Sequence, residues 1–164
     1  MGLDMYLEIR KNEYRSKYHK DKGSRLKLEY PKDITEFIPD PACGLSISRK
    51  TSYQVGYWRK ANHIHKWFVD TCANGVDDCN RVYVSIAQLE KLLQLCKQVQ
   101  ADRTLAPNLL PTQEGFFFGP TNYGNDYFED IDNTIKIIEP VLAFMKHKWD
   151  EQYYIWEVYY EASW

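Results

Sequence analysis

The residues from Tyr57 to Val69 bring indole, guanidinium, ammonium, amide and imidazole groups into one short stretch of the chain. Aromatic faces can stack on a flat ligand, cations can bind phosphate, and amide or imidazole groups can hydrogen-bond a polar edge. A histidine held by an asparagine could also act as a general base. We therefore expect a functional site on this stretch, either for binding a small charged ligand or for acid–base chemistry.

Helical periodicity over this stretch gives an inward face that is apolar except for Asn62 and His65. A buried amide or imidazole must be hydrogen-bonded, so both groups are either satisfied core residues or part of a pocket wall beside Trp58. The sequence leaves these two interpretations open. The opposite, outward face of the predicted helix carries Arg59, His63 and Lys66, with Lys60 and Trp67 near them.

Segments with the sequence periodicity of strands and segments with that of helices surround this predicted helix and must position it. Alternating polar and apolar residues predict strands at 3–10, 81–84 and 153–164. Ser85 and Gln88 form a capping box that begins a second helix. From Phe128 to Trp149 the apolar spacing predicts one long helix, kinked at an internal proline. This order predicts a single α+β domain over residues 1–164, with a largely antiparallel sheet and about three helices packed on one face.

The segments between these elements differ in character. Residues 11–30 are predicted to form a basic, aromatic flap, which is either a solvated surface or a contact for phosphate or single-stranded nucleic acid. Residues 31–56 are loop-rich because of their prolines and Gly44, with a weak strand within 46–55. Residues 115–119, Gly-Phe-Phe-Phe-Gly, predict a short buried strand that ends in a tight turn.

Composition narrows the class of protein. The 164 residues carry a net charge of −2, which gives no general basis for binding duplex DNA or an anionic membrane. No apolar run approaches a membrane span, and no secretory signal is expected. The four cysteines contain no C-x-x-C pair and favour a cytoplasmic protein with free thiols. A Cys72–Cys79 disulfide is the alternative.

Known catalytic motifs are missing from the sequence: it has no P-loop, no G-x-S-x-G and no H-E-x-x-H. We predict no metal site and no cofactor. If the protein is an enzyme, His65 is the expected base, Asn62 holds it, and Arg59 stabilises developing charge. For a binding protein, the predicted ligand-binding residues supply stacking, phosphate contacts and edge recognition. They are Asp4, Tyr6, Trp58, Arg59, Lys60, Asn62, His65, Asp77, Phe117, Thr121 and Tyr127.

Three motifs together resemble a family of small proteins encoded by phages and prophages. They are residues 2–7, residues 57–68, and residues 115–119 followed by Thr121 and Tyr123. The resemblance spans most of the chain, and its central motif is specific. Pro120 and Gly124 depart from the family pattern, which puts the turn before the last helix in doubt.

The resemblance implies an accessory protein that acts in the host cytoplasm. Combined with the aromatic and cationic residues, it leads to the hypothesis of a protein that binds a nucleotide-like small molecule without catalysis and sequesters a host defence signal. One alternative is a phosphodiesterase or related hydrolase that uses His65. Another is an inhibitor that binds a host enzyme through a tyrosine-rich surface. Homo-oligomerisation is left open.

Overall fold

The computed structural model describes residues 2–15, 47–148 and 154–164. Four strands form one antiparallel sheet in the order β2-β1-β4-β3, so the first and last strands are neighbours at its centre. The strands are β1 (Asp4–Arg15), β2 (Ile47–Arg59), β3 (Val82–Val84) and β4 (Tyr154–Ser163). The helices are α1 (Asn62–Cys72), α2 (Ile86–Ala101), α3 (Ala106–Leu109) and α4 (Asn125–Lys148). The prediction of a single-domain α+β fold is confirmed.

Alternation along β1 creates the two faces of the sheet. Leu3, Met5, Leu7 and Ile9 are buried, while the residues between them are partly exposed on the other face. The buried side chains share one core with residues of α1, α2 and α4. A Cβ at Gly56 would lie 2.6 Å from Ile137 Cγ2, so a residue without a side chain lets α4 approach β2 closely.

Two sequence-based predictions about helices hold in the structure. Ser85 accepts a hydrogen bond from the Gln88 amide, and the Gln88 side chain accepts one from the Ser85 amide, which completes the capping box. Pro140 lies inside α4, which continues past it as one helix. None of the helices within the described residues is long and apolar enough to cross a bilayer.

The prediction of one helix from Tyr57 to Val69 is wrong at its start. Strand β2 runs to Arg59, and Trp58 pairs with Met5 as a strand residue. Lys60 then adopts φ 61°, and the Asn62 amide donates to the Lys60 carbonyl at 2.8 Å across a tight turn. Helix α1 therefore begins only at Asn62, so Trp58 and Arg59 belong to a different element from Asn62 and His65.

The predicted strand within 46–55 is confirmed, but β2 is longer than expected, so residues 47–56 of the segment predicted to be loop-rich are extended and paired with β1. Strand β1 likewise includes residues 11–15 of the predicted flap. The rest of the flap and residues 31–46 lie outside the described residues.

Residues 115–119 form a turn and not the predicted strand. The Phe118 amide donates to the Gly115 carbonyl at 3.1 Å, which closes the turn. Phe118 is buried, whereas the ring of Phe116 is 95% exposed. The Leu3 amide holds the segment through the Phe117 carbonyl at 3.0 Å, so one backbone hydrogen bond to the start of β1 replaces strand pairing.

Candidate functional site

A polar pocket of about 270 Å³ opens where β2 ends, α1 begins and the first turns of α4 pass. This volume is near the lower end of the range for small-molecule sites, about 300–1,000 Å³. It suits a ligand of mononucleotide size or smaller. The residues that line it are Arg59, Lys60, Asn62, His63, Pro120, Asn122, Asp126, Tyr127, Glu129 and Asp130. We call it the polar pocket.

Two hydrogen bonds fix the distance between opposite walls of the polar pocket. Trp58 Nε1 donates to Thr134 Oγ1 at 2.9 Å, and Asn133 Nδ2 donates to the Tyr57 carbonyl at 3.4 Å. Both join the end of β2 to the third turn of α4. Asp130 lies one turn before Thr134 on the same helix face, so its carboxyl faces the pocket to which Arg59 contributes from β2.

Asn62 holds in place the wall of the polar pocket that the 113–120 segment forms. Its Nδ2 donates to the carbonyls of Phe118 at 3.1 Å and Pro120 at 2.9 Å, and its Oδ1 accepts from the Gln113 amide at 3.1 Å. The side chain thus ties the start of α1 to the 113–120 segment, which carries Pro120 into the pocket wall. Asn62 lines the pocket mainly as a structural clamp, because both ends of its amide are already engaged.

Asn62→Ala is expected to destabilise the fold by about 2 kcal/mol, because two carbonyls and one amide lose a buried partner. Equilibrium urea unfolding would measure this loss. Asn122→Ala is the matched control, because Asn122 lines the same pocket but is exposed, and it should change stability by less than about 0.5 kcal/mol. Equal effects of the two substitutions would argue against the clamp.

The charges of the polar pocket are separated. Arg59 and Lys60 line it from the β2 side, and Asp126, Glu129 and Asp130 line it from α4. Within the described part of the chain, none of these five side chains forms an ion pair or a side-chain hydrogen bond with another residue. Opposite charges that line one pocket without pairing leave donors and acceptors available to a ligand.

Two titratable groups in this pocket have shifted pKa values. Burial, reinforced by the neighbouring Asp126 and Glu129 carboxylates, raises the pKa of Asp130 to about 7. Burial lowers the pKa of His63 to about 3, so its imidazole is neutral at pH 7. The His63 ring packs on Tyr127 at a centroid distance of 4.0 Å, and among the described residues its buried Nε2 has no hydrogen-bond partner. Perturbed groups clustered in a pocket are typical of functional sites.

His65 lies in a closed part of the core. Its Nδ1 is 2.7 Å from the Tyr160 hydroxyl, and its Nε2 is 3.0 Å from Asp77 Oδ2. A carboxylate can only accept, so Nε2 carries the hydrogen and Nδ1 accepts from Tyr160, whose hydroxyl pKa is raised by burial. The adjoining cavity has a volume of only about 10 Å³. His65 is therefore a satisfied core group, and neither nitrogen is available to a substrate.

Four of the predicted ligand-binding residues meet in the polar pocket: Arg59, Lys60, Asn62 and Tyr127. Trp58 is 1% exposed in the core, which leaves no ring face for stacking. Asp77 is bound to His65, and Trp164 Nε1 donates to its other oxygen at 3.3 Å.

The remaining predicted residues lie elsewhere. Asp4 and Tyr6 are on the outer face of the sheet, where the Tyr57 hydroxyl donates to Asp4 Oδ1 at 2.5 Å. Phe117 and Thr121 do not line the pocket, and Thr121 is exposed. The structure therefore does not unite these side chains into one site.

The residues that sequence reasoning missed are His63, Asn122, Asp126, Glu129 and Asp130. His63 was expected on the outward face of its helix, but it is only 2% exposed because Tyr127 of α4 covers it. The acids have helical i, i+3 and i+4 spacing, which predicts a shared face. That spacing was the available signal, although it is equally typical of a solvated helix start.

The geometry for a metal site is missing from the described residues, where no three His, Cys, Asp or Glu side chains converge. Cys72, Cys79 and Cys96 are free, so the alternative of a Cys72–Cys79 disulfide is wrong. Burial raises the pKa of Cys72 and Cys96 to about 12, which keeps both as thiols.

A larger groove of about 580 Å³ lies between the sheet and α4. Ile137, Val141, Phe144 and Trp156 dominate its described lining, and Lys136 is the one charged side chain there. Its size alone would favour this groove over the polar pocket as a ligand-binding site. Ligand recognition, however, also needs convergent polar groups that fix the orientation of the ligand. The polar pocket meets that requirement, and the apolar groove does not.

Comparison of the chain with protein-family models, with curated proteins and with solved structures gives no match. The fold and the site together define an α+β protein with a charged pocket at a junction of strand and helix.

Proposed function

We propose that this protein binds a small ligand of the nucleotide class in the polar pocket and does so without catalysis. The observation that carries the proposal is the presence of two cations and three carboxyl groups in one pocket with no ion pairs between them. A nucleotide is itself bipolar, with an anionic phosphate and a base that displays N–H donors. The resemblance to phage and prophage proteins adds the role, which is sequestering a host nucleotide signal.

Arg59 and Lys60 are the proposed phosphate contacts. Arg59 is the last residue of β2 and Lys60 follows it, where a φ of 61° turns the chain toward the pocket. Gly119 makes this turn possible, because a Cβ there would lie 2.9 Å from Lys60 Cβ. The Lys60 side chain also runs beside Gly2, where a Cβ would lie 3.2 Å from Lys60 Cε, and the residue remains exposed to solvent.

Replacing both Arg59 and Lys60 with alanine is expected to weaken nucleotide binding by about 10- to 100-fold, because charge-assisted hydrogen bonds contribute about 1.5–3 kcal/mol. Isothermal titration calorimetry against mono-, di- and cyclic nucleotides would measure the change. Lys66→Ala is the control, because Lys66 is on α1 outside the pocket, paired with Asp70. A folded protein that binds none of these nucleotides would remove the proposal.

One observation favours hydrolysis as a second candidate. Asp130 has a pKa raised to about 7, which suits a general acid or base near neutral pH. This moves the chemistry of the hydrolase hypothesis from His65, which is enclosed, to α4. Mass spectrometry of a nucleotide incubated with the protein separates the candidates, since a binding protein returns the ligand intact after denaturation.

A further inference from the structure

The carboxyl groups of the polar pocket define what the buried end of a ligand must present. Ionised carboxylates only accept hydrogen bonds, and those of Asp126, Glu129 and Asp130 have no partner among the described residues. A ligand group rich in acceptors would be repelled here. The α4 wall therefore selects for a ligand edge that carries several N–H donors.

Asp130 is the most suitable of the three to read such an edge. It is half-buried, whereas Asp126 and Glu129 are exposed, and it is next to the helical turn whose Asn133 and Thr134 are hydrogen-bonded to β2. Its own backbone carbonyl accepts from Thr134 Oγ1 at 2.7 Å, which further restrains this turn. Asp126, in the first turn of α4, is exposed to solvent.

Besides the carboxyl groups, the polar pocket offers a ligand an uncharged hydrogen-bonding group, the imidazole of His63. His63 is 2% exposed, and its unpartnered Nε2 belongs to a residue that lines the pocket. A buried polar atom without a partner carries a cost of about 1–3 kcal/mol, which a ligand atom can remove. Neutral imidazole can supply either a donor or an acceptor, so it places no further charge on the ligand.

Resting on the proposed function, we infer that the ligand is a guanine nucleotide whose base is read by Asp130, with its phosphate toward Arg59 and Lys60. Guanine displays N1–H and the N2 amino group side by side, which matches the two oxygens of one carboxylate as a guanidinium does. Adenine places an acceptor, N1, beside its amino group, and uracil flanks its N–H with two carbonyls. Both would set a lone pair against the carboxylate.

Calorimetry with guanosine, inosine and adenosine monophosphates at pH 8 tests this inference, because inosine lacks only the N2 amino group. We expect guanosine monophosphate to bind at least about 10-fold more tightly than either analogue, since a bidentate base contact contributes about 1–3 kcal/mol. Asp130→Asn should reduce that preference to less than about 3-fold. Asp132→Asn is the matched control on the same helix, because its carboxylate accepts from Gln100 outside the pocket.

Equal affinity for the guanosine and inosine monophosphates would overturn the guanine inference while leaving nucleotide binding in place. Binding of spermidine or free arginine as tightly as any nucleotide would overturn it too, because a cationic amine would then satisfy the carboxylates. Failure of all nucleotides to bind a folded sample would remove both the inference and the proposed function. Thermal unfolding of each variant establishes that it is folded.

Discussion

His65→Ala is expected to lower the free energy of unfolding by about 3–5 kcal/mol, the largest effect of any single substitution at the polar residues discussed above. The substitution empties a fully buried site and leaves the Tyr160 hydroxyl and one Asp77 oxygen without their partner. It also removes the edge-on contact between His65 and Phe118, whose ring centroids are 5.2 Å apart. Urea unfolding monitored by tryptophan fluorescence would measure the loss.

Two variants separate this structural role from a catalytic one. Tyr160→Phe removes only the hydroxyl and should cost about 1–2 kcal/mol, because it orphans Nδ1 of His65. His147→Ala changes an exposed histidine on α4 and should stay within about 0.5 kcal/mol of the native protein. If His65→Ala proves as stable as the native protein, His65 does not serve as a core group and the general-base hypothesis regains its basis.

The sheet and the longer helices were accessible from sequence because their patterns are local. Alternation of Leu3, Met5, Leu7 and Ile9 reports a half-buried strand whatever its neighbours are. The capping box at Ser85 and the regular spacing along α4 are equally local signals. These features predicted the fold class, although the start of α1 and the length of β2 were misjudged.

The prediction of which residues of α1 face outward failed for a physical reason. A helical wheel assigns one face to the core and one to solvent, but α1 is covered on both sides. Asn62, His63, Ile64 and His65 are all buried in succession, and only Lys66 among the first five residues is partly exposed. The outward face of this helix is reduced to a strip that includes Lys66 and Asp70, so its wheel could not show that His63 meets the pocket and His65 the closed core.

The α4 wall of the polar pocket was hidden for a different reason. Acids in the first turns of a helix are stabilised by the helix dipole and are common there without any ligand. Only the tertiary contact of α4 with the end of β2 brings Asp130 and Arg59 into the lining of one pocket. The negative charge of these acids also opposes the binding of an anion at this helix start.

Asp130→Asn is expected to make the protein more stable at pH 8, by about 2 kcal/mol, and to leave its stability nearly unchanged at pH 4. The pKa of Asp130 rises from 3.8 to about 7 on folding, so the folded state binds its proton more tightly than the unfolded state. Stability from this group is thus present below pH 3.8 and is lost as the pH rises to about 7. The full shift would correspond to about 4 kcal/mol, and solvent screening of a partly exposed carboxyl reduces it.

Urea unfolding of the native protein and of Asp130→Asn at half-unit steps from pH 4 to pH 8.5 would measure this difference, in which contributions from all other groups largely cancel. The gain should appear between about pH 4 and pH 7 and then level off. Asp132→Asn, on the side of α4 that contacts Gln100, is expected not to gain stability at pH 8. A pH-independent difference for Asp130→Asn would show that ionisation of Asp130 does not destabilise the folded protein. Its carboxylate would then already be well solvated, and hydrogen-bond donors on guanine would offer it no advantage.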